Sequence, residues 1–379
     1  MLWLAVGCRL NHPSPYPIGI YSTGGPTNFT KLREAGFNVI TGGATGDFLD
    51  AAQAAGLVVL ASPGTSAGPG FSPSRAHAAV RTFGRHPALW AWYLSDEPEL
   101  HGVTPDEVRQ VHRAIRFAGS RLPTAVTTWS GEALSRYRVA DILLVDRYPV
   151  GMDPLAMFFK QVRAGRIVAD VANRRFIPVI QAMNWNAYPP EIWHLGGWDG
   201  GAAPDSRAPS LAELRCMIWG ARVLGAEGLF FYCYDDGAWR MAEHPEVWSD
   251  LGKAVREVRD CEPLFRARQP RVRLGLQWFE PGRQYNEALE SSVLVTLLEV
   301  ETGSAAVPAG RYLVLVNTTA EHHLVRLNRP DWYGVEVPVL GGQSTVHFGD
   351  GHWLDPLPPY GVQILGPLPA ALPLEPPAE

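Results

Sequence analysis

Between residues 18 and 268 the chain alternates short apolar runs with amphipathic segments, and it does so eight times. The apolar runs cover 18–21, 37–40, 57–61, 89–95, 123–128, 141–146, 176–181 and 228–234. Each is too short for a helix and reads as a strand. The segments between them carry helical periodicity over 28–35, 46–55, 74–83, 104–118, 131–137, 154–173, 210–224 and 245–258. Helix boundaries are well marked. Thr104-Pro-Asp-Glu107 combines a threonine cap, a proline in the first turn and carboxylates near the positive end, and Ser210 to Glu213 is a capping box. Eight strand–helix units over about 250 residues predict an α/β fold, a (β/α)8 TIM barrel over 16–268.

After Pro270 the period changes. Alternating runs at 271–278, 291–300, 312–316, 323–327, 334–339, 344–348 and 361–364 are separated by turn signals such as Pro308-Ala-Gly310 and Gly349-Asp-Gly351. This predicts a C-terminal all-β sandwich domain over 269–367, followed by a proline-rich, disordered tail over 368–379. At the other end, Leu4-Ala-Val-Gly-Cys8 resembles a bacterial lipoprotein processing site, although no positively charged segment precedes it. Two readings of residues 1–15 stay open: a truncated signal and proline-rich linker, with a lipid anchor through Cys8 on an exported protein, or a short strand or disordered segment of a cytoplasmic one. Cys216, Cys233 and Cys261 lack ligand-like spacing and read as buried thiols.

A net charge of −5 offers no basic footprint for nucleic acid, and no apolar run is long enough to span a bilayer. The oligomeric state is not legible. Thirteen tryptophans and twelve tyrosines are many for 379 residues, and several fall at strand ends, where an exposed ring would stack on a sugar.

In a (β/α)8 barrel only residues just past the carboxyl ends of the strands meet at the catalytic face. Here these are Tyr21 and Ser22, residues 41–45 and 62–64, Asp96 and Glu97, Thr128 and Trp129, Asp146 and Tyr148, Gln181, Asn184 and Trp185, and Tyr234, Asp235 and Asp236. This rim has no histidine cluster for a metal hydrolase and no lysine for Schiff-base chemistry, so no cofactor is expected, and a lyase or isomerase is poorly supported. Gly42-Gly-Ala-Thr-Gly46 lacks the lysine and spacing of a phosphate loop and reads as a plain loop after a strand. His322-His323 lies on a sandwich strand, where neighbours face opposite ways, which argues against a metal role.

The fourth strand ends on Leu94-Ser-Asp-Glu-Pro98. A barrel with such a pair after strand four and a β-sandwich appended resembles clan A glycoside hydrolases. The segment from His86 to Pro98 and the corner Asp146-Arg-Tyr-Pro149 look like a branch carrying Asp-Glu-Pro. The resemblance implies Glu97 as general acid/base and Asp96 as a contact to the sugar hydroxyl beside the anomeric carbon. It also implies a nucleophilic glutamate at the end of strand seven, where this chain has Gln181. Three routes follow. Asp146, or the pair Asp235-Asp236, supplies the second carboxylate. It would lie about 5–5.5 Å from Glu97 as a nucleophile, or about 6.5–9.5 Å as a base for water. Alternatively, an acetamido group of the substrate assists, oriented by Asp96. In the third route the barrel binds carbohydrate at the cell surface without cleaving it. Trp129, Trp185 and Trp239 are candidate stacking platforms, and Tyr148, Gln181, Asn184, Tyr234, Asp235 and Asp236 further sugar contacts. Trp193 and Trp198 stand in a long loop after strand seven, and loops of that length are more often functional than idle. If Asp146 is buried on its apolar strand it needs a partner, and alternation turns neighbouring Arg147 to the other face. The leading expectation is hydrolysis of an O-glycosidic bond in an oligosaccharide or glycoside.

Overall fold

The apolar runs become strands β1 (Ile18–Ile20), β2 (Val39–Gly43), β3 (Val58–Ser62), β4 (Leu89–Ser95), β5 (Thr124–Thr128), β6 (Ile142–Asp146), β7 (Arg175–Gln181) and β8 (Leu229–Tyr232). Each runs parallel to the next, and β1 also pairs with β8, closing the barrel. This is a computed structural model, and it describes residues 16–195, 207–270, 272, 274–280, 283–286, 292–329, 332–342 and 344–369. Cys8 with its expected anchor, Trp198 and the tail from 370 onward lie outside the described residues.

Closure explains why the strands read as continuous apolar runs. One face fills the barrel interior and the other meets the helices, so every residue of β5 and β6 is buried. The helices are α1 (Phe29–Glu34), α2 (Gly46–Ala54), α3 (Pro73–Phe83), α4 (Pro105–Phe117), α5 (Leu134–Tyr137), α6 (Ala156–Ala172), α7 (Pro190–Leu195), α8 (Leu211–Val223), α9 (Pro245–Asp260) and α10 (Glu262–Arg266). Both signalled caps form: Thr104 with Glu107 opens α4, and Ser210 with Glu213 opens α8. The glycines after Ile40 are strand rather than loop, since Gly42 pairs with Ala61 and Gly43 with Ser62. A Cβ at 42 would lie 2.3 Å from the tip of the Phe48 ring that α2 folds over the strand, so glycine lets that ring approach. Helix α7 likewise falls in a segment expected to be loop.

The C-terminal part forms antiparallel sheets. Strands β9 (Leu276–Glu280), β10 (Arg283–Asn286), β13 (His323–Asn328) and β16 (His352–Leu357) make one, in the order β10-β9-β13-β16. Strands β11 (Val293–Val300), β12 (Gly310–Asn317) and β17 (Val362–Leu368) make a second, and β14 (Val335–Pro338) pairs with β15 (Thr345–Phe348). The alternation along β12 shows how the sandwich is seated. Leu313 and Leu315 pack into the sandwich core with Leu327, Trp332 and Phe348, while Tyr312, Val314 and Val316 join the barrel's core. The second sheet is therefore buried on both faces, between the first sheet and the helical layer that includes α8. No helix among the described residues is long and apolar enough to cross a membrane.

Candidate active site

Strand β4 delivers Asp96 and Glu97 to the carboxyl end of the barrel. Glu97 has φ +38°, a left-handed conformation unusual for a residue with a Cβ. Backbone hydrogen bonds hold it there: its N–H donates to Thr127 O of β5 at 3.0 Å, and its carbonyl accepts from Leu100 N at 3.0 Å and His101 N at 3.4 Å. Backbone strain of this kind persists only where its surroundings impose it, and it gathers at functional sites.

The Glu97 carboxyl stands near enough to Asp146, at the end of β6, for each to act on the other's charge. Asp146 is 5% exposed. Its Oδ2 accepts from the Tyr148 hydroxyl at 3.2 Å, and its buried Oδ1 meets no donor among the described residues. Two negative charges so near each other are disfavoured, so the two carboxyls titrate together. Burial pushes Glu97 up to about 8, with the charges of Asp96 and Glu99 adding to it and the hydrogen bond to Asp146 opposing. Burial also holds Asp146 well above the ordinary carboxylate range, reinforced by Glu97, Asp96 and Glu99. Arg147 does not neutralise the pair. It forms an ion pair with Asp153, and its guanidinium lies 4.5 Å from the centre of the Trp129 ring.

Asp96 is reached by solvent, yet its carboxyl is ringed by protein, and this crowding raises its pKa against the opposing pull of Tyr93 and His101. The Tyr93 hydroxyl donates to Asp96 Oδ1 at 2.5 Å. Behind it, Thr127 Oγ1 lies 2.7 Å from the Tyr93 hydroxyl and 2.9 Å from that of Tyr21. Beside the carboxyl pair stands an aromatic wall. Tyr148 stacks on Tyr232 with centroids 5.2 Å apart and meets the edge of Trp129 at 5.7 Å. Trp185 packs against Trp129 at 6.3 Å and donates its indole N–H to Tyr148 O at 3.0 Å. Glu99 completes the acidic group, its Oε1 accepting from Ser130 N at 3.2 Å.

The structure thus brings together Asp96, Glu97, Asp146, Trp129, Tyr148 and Trp185. Other expected sugar contacts have different partners. Gln181 is fully buried, and its amide is used by backbone: Oε1 accepts from Val150 N at 2.7 Å, and Nε2 donates to Val150 O at 2.9 Å and Met183 O at 3.2 Å. It clamps the segment after β6 and offers nothing to a ligand. Tyr234 is buried in the outer layer, edge-on to Trp248 at 5.4 Å, with Lys31 Nζ 5.5 Å from its ring centre. Trp239 is 2% exposed and lies flat on His244 at 4.0 Å, so it offers no face for a sugar.

Asp235 accepts from Gly237 N at 3.0 Å, closing the turn after β8. Asp236 Oδ1 caps the same turn, accepting from Ala238 N at 3.0 Å and Trp239 N at 2.8 Å. Its Oδ2 accepts from the Tyr188 and Tyr232 hydroxyls, each at 2.8 Å. Asn184 caps the short turn after β7 through Asn186 N at 3.0 Å. Sequence reasoning passed over Tyr93, Thr127, Glu99 and Tyr232. Tyr93 carried no signal, because strict alternation turns residues three apart to opposite faces and the register shift between Tyr93 and Ser95 is not legible in sequence. Neither did Tyr232, because the inward position passed to it only when β8 ended two residues before Tyr234. Among the described residues no group of three His, Cys, Asp or Glu side chains could hold a metal ion.

No family model and no curated relative matches the chain's sequence. Its likeness is to solved structures. An alpha-amylase from Geobacillus thermoleovorans, complexed with acarbose, superposes with a TM-score of 0.54 at 9% identity, covering 92% of this chain and 97% of that one. An Anoxybacillus alpha-amylase gives 0.54 at 12% identity over 96% and 98% of the two chains. A family 5 glycoside hydrolase from Bacteroides vulgatus gives 0.57 at 8% identity over 92% and 88%. What the chain shares with these glycoside hydrolases, across nearly its whole length, is the fold: a (β/α)8 barrel followed by antiparallel sheets.

Proposed function

We propose that the chain is a glycoside hydrolase that cleaves an O-glycosidic bond in an oligosaccharide or glycoside, with Glu97 as proton donor and Asp146 as the second carboxyl. The observation that carries this reading is the meeting of Glu97 and Asp146 at the carboxyl end of the barrel, both held above the ordinary carboxylate range. A carboxyl that keeps its proton near neutral pH can protonate a glycosidic oxygen, and its partner, once apart from it, supplies the negative charge that the reaction needs.

A nucleophile stands roughly 5–5.5 Å from its acid/base partner, and a base for water roughly 6.5–9.5 Å away. The mutual influence of Glu97 and Asp146 favours the first, a covalent route in which a sugar enters between the two groups. Glu97 gives its proton to the glycosidic oxygen as the C1–O bond breaks, and the bonding pair leaves on that oxygen. The Asp146 carboxylate bonds to C1. Water, deprotonated by Glu97, then attacks C1 and releases Asp146. Asp96, solvent-accessible and steadied by Tyr93, is placed to accept a hydrogen bond from a sugar hydroxyl, and Trp129 and Tyr148 bound the site with apolar faces. Acarbose in the alpha-amylase of similar fold supports a carbohydrate occupant.

The test is a screen of chromogenic glycosides and oligosaccharides, with analysis of the product anomer on any hit. Asp146→Asn should lower turnover by at least about 100-fold, and the parent should retain anomeric configuration. Full activity in Asp146→Asn, or inversion by the parent, refutes the assignment of Asp146. Saturable sugar binding with no hydrolysis of any substrate would instead establish the competing reading, a carbohydrate-binding barrel without catalysis.

A further inference from the structure

At the opposite end of the barrel, a cavity of about 760 Å³ opens between the amino ends of β7 and β8, the segment leaving α10, and β11. Its walls include Tyr16, Arg175, Arg222, Glu227, Gln269 and Thr296, with Arg166 and Arg266 at its margin. Four guanidinium groups around one cavity raise the question of where their counter-charges are.

Two of them have carboxylates. Arg166 forms an ion pair with Asp170 and donates to Glu227 at 3.0 Å, and Arg266 lies 3.6 Å from Glu262. The other two do not. Arg222 is 4% exposed, and it donates to Leu264 O at 2.9 Å, Ala267 O at 2.7 Å and the Gln269 side-chain oxygen at 3.1 Å. All three acceptors are neutral. The Arg175 guanidinium lies 5.7 Å from the centre of the Trp90 ring, and its buried Nε meets no acceptor among the described residues. Glu227 is the carboxylate whose charge reaches both, but its Oε2 already accepts from Arg166 and from Phe176 N at 3.0 Å. Burial pushes both guanidinium groups downward, the sign of cations short of counter-charge.

A buried cation without its own anion is costly, and a planar guanidinium with free N–H groups matches the paired oxygens of phosphate and carboxylate. We propose that this cavity binds a small oxyanion, the phosphate or carboxylate group of a small molecule, with Arg175 donating to it and Arg222 supplying charge from behind. Its walls come from both the barrel and the sandwich sheet, so the bound anion joins the two parts and stabilises the folded chain. The site lies at the end of the barrel opposite the carboxyl pair, and it stands or falls independently of the hydrolase assignment.

The test follows thermal unfolding of the full chain in inorganic phosphate, in malonate and in sodium chloride, at matched ionic strength. The expected result is a saturable rise in unfolding temperature with phosphate, malonate or both, beyond that in chloride. A response to phosphate alone or to malonate alone identifies the group recognised. Arg175→Gln should weaken the response at least tenfold. Gln269→Glu places an internal carboxylate against Arg222, at the cost of the amide's hydrogen bond to Val223 O, so it should weaken the response to added anion. A rise no greater than chloride's overturns the proposal, and so does an unchanged response in folded Arg175→Gln. Should that variant fail to fold, an unchanged response in Gln269→Glu overturns it.

Discussion

Replacing Glu97 by glutamine should separate what this carboxyl does for chemistry from what it costs the fold. In the native protein its pKa rises from an ordinary 4.5 to about 8, chiefly through burial. The sign follows from proton linkage. Between those values the native chain keeps a proton that the unfolded chain has released, so unfolding releases a proton and stability falls as pH rises through the window. Below pH 4.5 the side chain is neutral in both states and the penalty vanishes. At about 1.4 kcal/mol per unit the shift sets a ceiling of about 5 kcal/mol at the upper end, and relaxation around a site that water can enter reduces it to about 2 kcal/mol. Glutamine has nearly the same shape and no charge. Glu97→Gln should therefore unfold at nearly the parent's temperature near pH 4.5 and several degrees higher near pH 8, while hydrolysis falls about 100- to 10,000-fold with loss of the general acid. Thermal unfolding at a series of pH values, run beside a glycoside assay, reads both. A difference in stability that does not grow with pH would refute the account of a desolvated carboxyl pair. A fully active variant would refute the catalytic role.

Gln181→Ala should cost about 2–4 kcal/mol in urea unfolding, because it strands the buried N–H and C=O of Val150, and should leave substrate affinity unchanged in the folded fraction; an unchanged stability with a raised KM would return Gln181 to the site. Tyr93→Phe removes the donor to Asp96, so the Asp96 pKa should rise further and the acid limb of the kcat/KM profile should move to higher pH; a profile that does not move would show that Asp96 does not titrate in the reaction. Ser210→Ala should lower stability by about 1 kcal/mol through loss of the α8 cap, with no change in turnover.

The fold was legible because its signals are local and repeated. Strands buried on both faces leave continuous apolar runs, Thr104 and Ser210 mark helix starts by side-chain chemistry, and the change to alternation after Pro270 marks the sandwich. Gly42 misled because glycine signals both a flexible loop and a close approach, and only the Phe48 ring above it decides between them. Position along the barrel axis was legible for the site as well. Asp96, Glu97, Asp146 and Gln181 all stand at the carboxyl ends of their strands. Whether each side chain meets the cleft was not, because that depends on how the backbone leaves the strand.

Glu97 and Gln181 show the difference. Each stands at the end of its strand, Glu97 just past β4 and Gln181 as the last residue of β7. Glu97 leaves its strand through a left-handed backbone and stays near Asp146, while Gln181 is turned toward Val150 and consumed by it. The end of β7 is thus a position given over to holding the segment after β6, the segment that carries Tyr148 against Asp146. A carboxylate at 181 could accept from Val150 N but could not donate to Val150 O or Met183 O, and it would be charged in a fully buried site. On this reasoning a glutamate placed at 181 would loosen the Asp146 corner instead of completing a catalytic pair, and the amide and the aspartate belong to one arrangement.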